Sequence, residues 1–271
     1  MSKLKTRALS ALLFVPIVLG AIYFSAYSFQ LLWLFVATVC AFELSNMFDF
    51  KFGASTKGSV VIKTLAPLLS LVVGLMFFNG IGNESLYAIL LLSSMLIIFI
   101  HATFAKDKMP LKHLAGPLIA IFYVMIPLLL LAKMSGIGEQ YDPSLPLGLI
   151  FLIWASDTGA YFAGSRLGKN KLAPAVSPNK TWEGFFGGLL LSALVGYIYS
   201  TLTEKDSVEW ILFGLSAGVF GTLGDLFESS LKRYTGIKDS GNIMPGHGGL
   251  LDRFDGFFFL IPVCWLIQQI L

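Results

Sequence analysis

The fold class this sequence predicts is an all-α polytopic membrane protein of about nine transmembrane helices, with a cytoplasmic N-terminus and the C-terminus outside. Three observations predict it. Hydrophobic side chains make up 56% of the 271 residues and charged ones only 13%, where a soluble globular chain is about a quarter charged. Mean hydropathy is +0.77, more apolar surface than packing in water could hide. The basic residues also alternate in register with the apolar runs.

Crossing ~30 Å of hydrocarbon takes ~20 helical residues. Runs of that kind lie at 7–26, 29–48, 60–78, 85–104, 112–133, 145–165, 182–202, 208–231 and 250–270. They are continuous, unlike the alternating segments of a membrane barrel, so helices are preferred. The first run, in MSKLKTRALSALLFVPIVLGAIYF, has the basic-then-apolar order of a signal peptide. Membrane sequence follows it in place of a cleavage site and soluble domain, so it reads as an uncleaved first span.

With the N-terminus cytoplasmic, alternate connections face the cytoplasm. They hold Lys3, Lys5, Arg7, Lys51, Lys57, Lys63, Lys106, Lys108, Lys112, Arg166, Lys169, Lys171, Lys180, Lys232, Arg233, Lys238 and Arg253. Of the 19 basic residues only Lys133 and Lys205 fall outside that set, which fits nine spans. An N-terminal membrane bundle of five spans is expected over 1–143. A C-terminal region of four spans follows over 144–271, with cytoplasmic links at 166–181 and 232–249. Cys40 and Cys264 lie in apolar runs without C-x-x-C spacing and read as buried free thiols. The compact length and the lack of a targeting segment favour a bacterial inner membrane, with the chemistry at its cytoplasmic face.

Charge inside a span is expensive. Asp157 in LIFLIWASDTGAYFAG, and Asp225 with Glu228 in GVFGTLGDLFESS, each cost roughly 2.5–3.5 kcal/mol near a helix centre, which marks them as functional candidates. Asp157 precedes Arg166, and Asp225 precedes Arg233, by a length that puts both acids ~12–14 Å below the cytoplasmic surface. Asp225 and Glu228 share one helix face, as do Asp252 and Asp255 at the start of the last span. Such hard oxygens suit Mg²⁺, which binds through a few carboxylates, water and substrate phosphates. The alternatives are structural: Asp252 and Asp255 as helix-start carboxylates, Glu228 as a paired face residue, Asp157 as the partner of a cation.

The links carry the complement. In PGHGGLLD, Gly246, Gly248 and Gly249 permit positive φ and close backbone approach. The N–H groups of the helix starting near Leu250 are expected to be free for an anion. His247 reads as a turn residue or a ligand contact. In SPNKTWEG, Ser177 and Asn179 precede the next helix, and Lys180 sits beside its start as a candidate phosphate ligand. Arg166, Lys169 and Lys171 obey the charge asymmetry with or without a further role. Neither a Walker A nor a Rossmann fingerprint occurs. Carboxylates for a metal, cations for polyanions and glycine turns thus meet at one membrane face.

The run SSLKRYTGIKDSGNIMPGHGGLLDRFD resembles the signature of the phosphatidate cytidylyltransferases, the CDP-diacylglycerol synthases. It supplies Ser229, Lys232, Arg233, Lys238, Asp239, His247, Gly248, Gly249, Asp252, Arg253 and Asp255. Met244 stands where that family usually has Ile, Leu or Phe. SDTGAYFAG and SPNKTWEG are also similar to the family, so the resemblance covers about 150–260. It implies that CTP and phosphatidic acid give CDP-diacylglycerol and pyrophosphate in phospholipid biosynthesis. It further implies Mg²⁺ (or Mn²⁺) on Asp225, Asp252 and Asp255, with Asp157 and Glu228 as further candidates and a second cation such as K⁺. Lys232 and Arg233 join those acids as catalytic candidates. Lys180, Lys238, Asp239, His247, Gly248, Gly249, Arg253, Ser177 and Asn179 are candidates for substrate binding. The implied partners are CTP, phosphatidic acid and membrane lipid, with a homodimer and without nucleic acid.

Two other readings compete. A secondary transporter would use Asp157, Asp225 and Glu228 as a relay, but its halves would both carry acids and glycines, which here gather in the second half. A CDP-alcohol phosphatidyltransferase would carry D-G-x-x-A-R followed by two spaced aspartates, a run that this sequence lacks.

Overall fold

The computed structural model describes residues 3–52, 57–80, 83–104, 110–244 and 248–271. Among them the helices are α1 (Lys3–Phe24), α2 (Ala26–Phe52), α3 (Lys57–Phe78), α4 (Glu84–Thr103), α5 (Pro110–Ile119) and α6 (Ile126–Met134), then α7 (Ser144–Leu167), α8 (Trp182–Thr203), α9 (Ser207–Ser216), α10 (Thr222–Thr235) and α11 (Leu251–Ile270). π-helical turns, Ala120–Met125 and Ala217–Gly221, join α5 to α6 and α9 to α10 without a break. Each apolar run read from the sequence is therefore helical, within a few residues.

Six helical segments among the described residues are long and apolar enough to cross a membrane: Ala26–Lys51, Ser85–Thr103, His113–Met134, Ser144–Leu167, Trp182–Thr203 and Ser207–Thr235. Shorter apolar stretches are Leu12–Phe24 and Lys63–Met76. Their outer faces are apolar; Ile89, Leu92, Leu96 and Ile100 of α4 are each more than half exposed. Water penalises such a stripe and hydrocarbon accepts it, because helices satisfy their own backbone. This is a helical membrane protein.

The chain forms two compact units, Met1–Asp142 with Tyr234–Asp252, and Pro143–Arg233 with Arg253–Leu271. Most of the link 232–249 joins the first unit, where a side chain of α2 holds it. Within that unit Tyr141 donates from Oη to the Ile22 carbonyl at 2.6 Å. Lys63 of α3 pairs with Asp49 of α2, both 2% exposed.

In the second unit α7 and α8 meet backbone to backbone. A Cβ on Gly159 would lie 2.4 Å from the Gly187 carbonyl oxygen, and one on Gly188 would lie 2.8 Å from that of Ser156. Small residues allow this approach where two apolar helices gain little from hiding from lipid. The link 166–181 departs from the all-α expectation. Lys171–Ala173 (β1) and Ser177–Thr181 (β2) form an antiparallel hairpin, with Lys171 opposite Thr181. Thr181 then caps α8, its side chain accepting from Gly184 N–H at 3.2 Å. Glu183 in the first turn accepts from the Lys169 N–H at 3.1 Å and from Asn170 Nδ2 at 2.8 Å. Cys40 and Cys264 are buried and free, as expected.

Candidate active site

Two of the acids are brought together by missing side chains. A Cβ on Gly224 of α10 would lie 2.4 Å from the Asp255 carbonyl oxygen and 2.7 Å from Gly256 Cα of α11. A Cβ on Gly256 would lie 2.9 Å from the Gly221 carbonyl oxygen. Only glycine lets these helices touch, and the residues beside the contact are Asp225 and Asp255. The Asp255 carboxyl consequently lies within hydrogen-bonding reach of Asp225, with Glu228 a second like charge nearby. Asp157 of α7 has Asp225 as a like-charged neighbour and Lys180 and Arg253 as opposite ones.

Cations already balance part of this charge. Lys180, at the end of β2, pairs with Asp225, and both side chains are partly exposed. Lys232 pairs with Glu228 one turn away on α10, where Glu228 is 1% exposed. The second unit thus gathers Asp157, Lys180, Asp225, Glu228, Lys232, Arg253 and Asp255 from α7, β2, α10 and α11. Among the described residues no three His, Cys, Asp or Glu side chains stand in a metal-holding group. Asp225 and Asp255 are a pair of hard oxygen donors, fewer than an all-protein cage would need. Such a pair fits Mg²⁺, which completes its octahedron with water and substrate phosphates.

The link 232–249 corrects one expectation. Its backbone N–H groups at the start of α11 are not free for a phosphate. Glu43 of α2, 2% exposed, accepts from Leu250 N–H at 3.0 Å and from Leu251 N–H at 2.9 Å. Asp252 Oδ2 accepts from Gly249 N–H at 2.7 Å and from both the N–H and the hydroxyl of Ser240, at 3.1 and 3.0 Å. The Ser240 hydroxyl also lies 3.0 Å from Glu43 Oε2. Protein carboxylates have taken the place an anion would take at this helix start. The glycine pair serves that arrangement: Gly248 has φ 87°, and a Cβ on Gly249 would lie 2.0 Å from Ser240 Oγ and 2.6 Å from Glu43 Oε1.

The remaining candidates are more scattered. Asn179, Arg233, Lys238 and Asp239 are exposed and Ser177 is half-buried. His247 lies outside the described residues. Glu43 is the residue that sequence reasoning missed, although a carboxylate inside the apolar run 29–48 meets the criterion that singled out Asp157. Asp49, buried against Lys63, stands one residue beyond that run, where a carboxylate reads as an ordinary span-end charge.

Residues 5–271 match the model of the Cytidylyltransferase family. The chain is 35% identical over 269 residues to a phosphatidate cytidylyltransferase of Staphylococcus epidermidis, spanning 96% of this chain and 97% of that one. It is 35% identical over 274 residues to a phosphatidate cytidylyltransferase of Bacillus subtilis, spanning 98% of each. Against a phosphatidate cytidylyltransferase of Staphylococcus aureus it is 39% identical over 175 residues, 64% of this chain and 66% of that one.

Proposed function

The chain belongs to the cytidylyltransferase family, and from that premise we propose that it transfers the cytidylyl group of CTP to phosphatidic acid. The products are CDP-diacylglycerol and pyrophosphate, and the reaction serves phospholipid biosynthesis. A phosphate oxygen of phosphatidic acid attacks the α-phosphorus of CTP. The bond from that phosphorus to the bridging oxygen breaks, and pyrophosphate leaves with the electron pair. Both reactants are polyanions, so the protein's task is to neutralise charge and hold the two in line.

The observation that supports this chemistry is the grouping of acids and cations around the Gly224–Gly256 contact. Asp225 and Asp255 would hold Mg²⁺ or Mn²⁺, and Asp252 is their proposed companion. The ion's chemistry, when bound, is to offset the charge of the phosphates and of the leaving group. Lys180 turns from Asp225 to a phosphate oxygen, and Lys232 can turn likewise from Glu228. Arg253, Arg233 and Lys238 supply further positive charge for the triphosphate and the lipid headgroup. Asp157 orients Lys180 or holds a second cation such as K⁺. Ser177, Asn179, Asp239, His247, Gly248 and Gly249 are the remaining candidates for contact with the substrates.

The finer topology is part of the proposal: nine spans, N-terminus in, C-terminus out, in a bacterial inner membrane with the site facing the cytoplasm. The alternation of basic residues along the chain supports it. A C-terminal tag reached by a membrane-impermeant label only from the cytoplasm would overturn that count. A homodimer, expected from the family resemblance, is read from the mass of the protein in lipid nanodiscs; a monomer there would rule it out.

Pyrophosphate release by the purified protein in detergent, with CTP and phosphatidic acid, tests the activity. Turnover should require both substrates and a divalent ion, and should disappear with EDTA. A folded sample silent with CTP at every ion tested would sink the reading; turnover that persists in EDTA would sink the metal alone.

A further inference from the structure

Three cations of the first link stand outside the site described above. Arg166 lies in the last turn of α7, and Lys169 and Lys171 follow it, all three exposed. Among the described residues none of the three pairs with a carboxylate. Glu183, the acid beside them, is turned to the backbone instead. Its carboxylate accepts from the Lys169 and Asn170 N–H groups and from Asn170 Nδ2. Trp182 N–H donates to the Asn170 carbonyl at 2.9 Å, so the segment that carries both lysines runs beside the start of α8.

Exposed rings surround that start. Tyr161, Phe162 and Phe186 are at least half exposed, and Trp182 is nearly so. A Cβ on Gly184 would lie 3.3 Å from Gly164 Cα. That contact puts the last turns of α7 and the first turn of α8 at one level, so the rings of both helices form one band. Arg166 stands over the Phe162 ring, 5.5 Å from its centroid, and the Trp182 and Phe186 rings lie 6.2 Å apart. In a helical membrane protein, an exposed band of Trp and Tyr marks the height where hydrocarbon gives way to headgroups. Unpaired cations at that height meet the phosphates of the leaflet.

We infer that the first link and this aromatic band form a docking surface for anionic phospholipids. Arg166, Lys169 and Lys171 hold the headgroup, and the upper acyl chains pack on Phe162 and Phe186. Charge decides against a zwitterionic lipid, whose own ammonium these cations repel. The rings decide against a soluble anion, which gains nothing from apolar surface. The inference rests on the membrane class of the fold and goes beyond the cytidylyltransferase reading. It gives the hairpin a second task, because β2 also carries Lys180.

The test places the full chain in phosphatidylcholine nanodiscs without nucleotide. A photoreactive acyl chain is supplied on either phosphatidylglycerol or phosphatidylcholine, and labelled peptides are mapped by mass spectrometry. The phosphatidylglycerol probe should label the ends of α7 and α8 in excess, since each cation near the surface favours an anionic lipid roughly five-fold. The excess should shrink at high salt. It should disappear in the combined variant Arg166→Gln, Lys169→Gln and Lys171→Gln, with a thermal transition close to wild type. Equal labelling of wild type by both probes, or an excess that survives in the folded variant, would overturn the inference. The single variants give the same reading should the combined one not fold: each should lose part of the excess, and no loss in any of them counts against the surface. Inorganic phosphate at constant ionic strength should leave the labelling unchanged; displacement would make this a site for soluble anions and sink the lipid. Pyrophosphate release plays no part in this test, so a protein silent with CTP would remove the proposed activity and leave the surface standing.

Discussion

The two polar links of this protein are alike in composition and opposite in how they are held. The link 166–181 closes on itself through a β-hairpin, and its anchor, Glu183, reaches back only to Lys169 and Asn170. The link 232–249 has two paired residues, Met244 and Gly248, and is held by Glu43, 207 residues before its partner Leu250. One is a local structure that its own residues specify. The other is an irregular segment with its shape imposed by a buried carboxylate on a distant helix. The difference shows how a mobile class of structure, the loop, can carry chemistry in a fixed geometry.

The largest effect should come from Asp252→Asn. It removes a proposed metal ligand and weakens the bonds to Ser240 and Gly249, so kcat in the pyrophosphate assay should fall roughly 10²–10³-fold. Activity near wild type would mean that Asp252 only staples the second link. Next is Glu43→Ala, which leaves two buried N–H groups without partners and should cost about 3 kcal/mol or more. Thermal unfolding in detergent reads this loss, and an unchanged transition would show that the second link holds itself.

Lys180→Ala removes the one cation that the hairpin aims at Asp225, and should raise the KM for CTP roughly ten-fold or more while leaving the thermal transition close to wild type. An effect confined to stability would reduce Lys180 to the partner of Asp225. The smallest effect is expected from Glu183→Gln, whose bonds are exposed and local. Its shift in the same thermal scan should be smaller than that of Glu43→Ala, and kcat should stay within about two-fold. A larger shift than that of Glu43→Ala would invert the comparison between the links.

Much of this was legible in the order of residues. Apolar runs long enough to cross a membrane announce helices, because in hydrocarbon the backbone must bond within its own segment. The i, i+3 spacing of Asp225 with Glu228 and of Asp252 with Asp255 placed each pair on one helix face. Lys180 stood out beside a helix start, and the structure sets it against Asp225. Other features escaped. Nothing local in KLAPAVSPNKT compels a hairpin over a turn. The anion site expected at the start of α11 followed correctly from the helix dipole, but its occupant is Glu43.

What residue order dictated, then, was the helical membrane class, the family signature and the chemical types gathered in it, since these depend on hydrophobicity and spacing along one chain. What folding alone decided was which groups meet: Gly224 against Gly256 to bring Asp225 beside Asp255, and Glu43 beneath the second link. Those contacts join residues far apart in the chain, and they depend on how closely two backbones can pack, which no single stretch of sequence encodes.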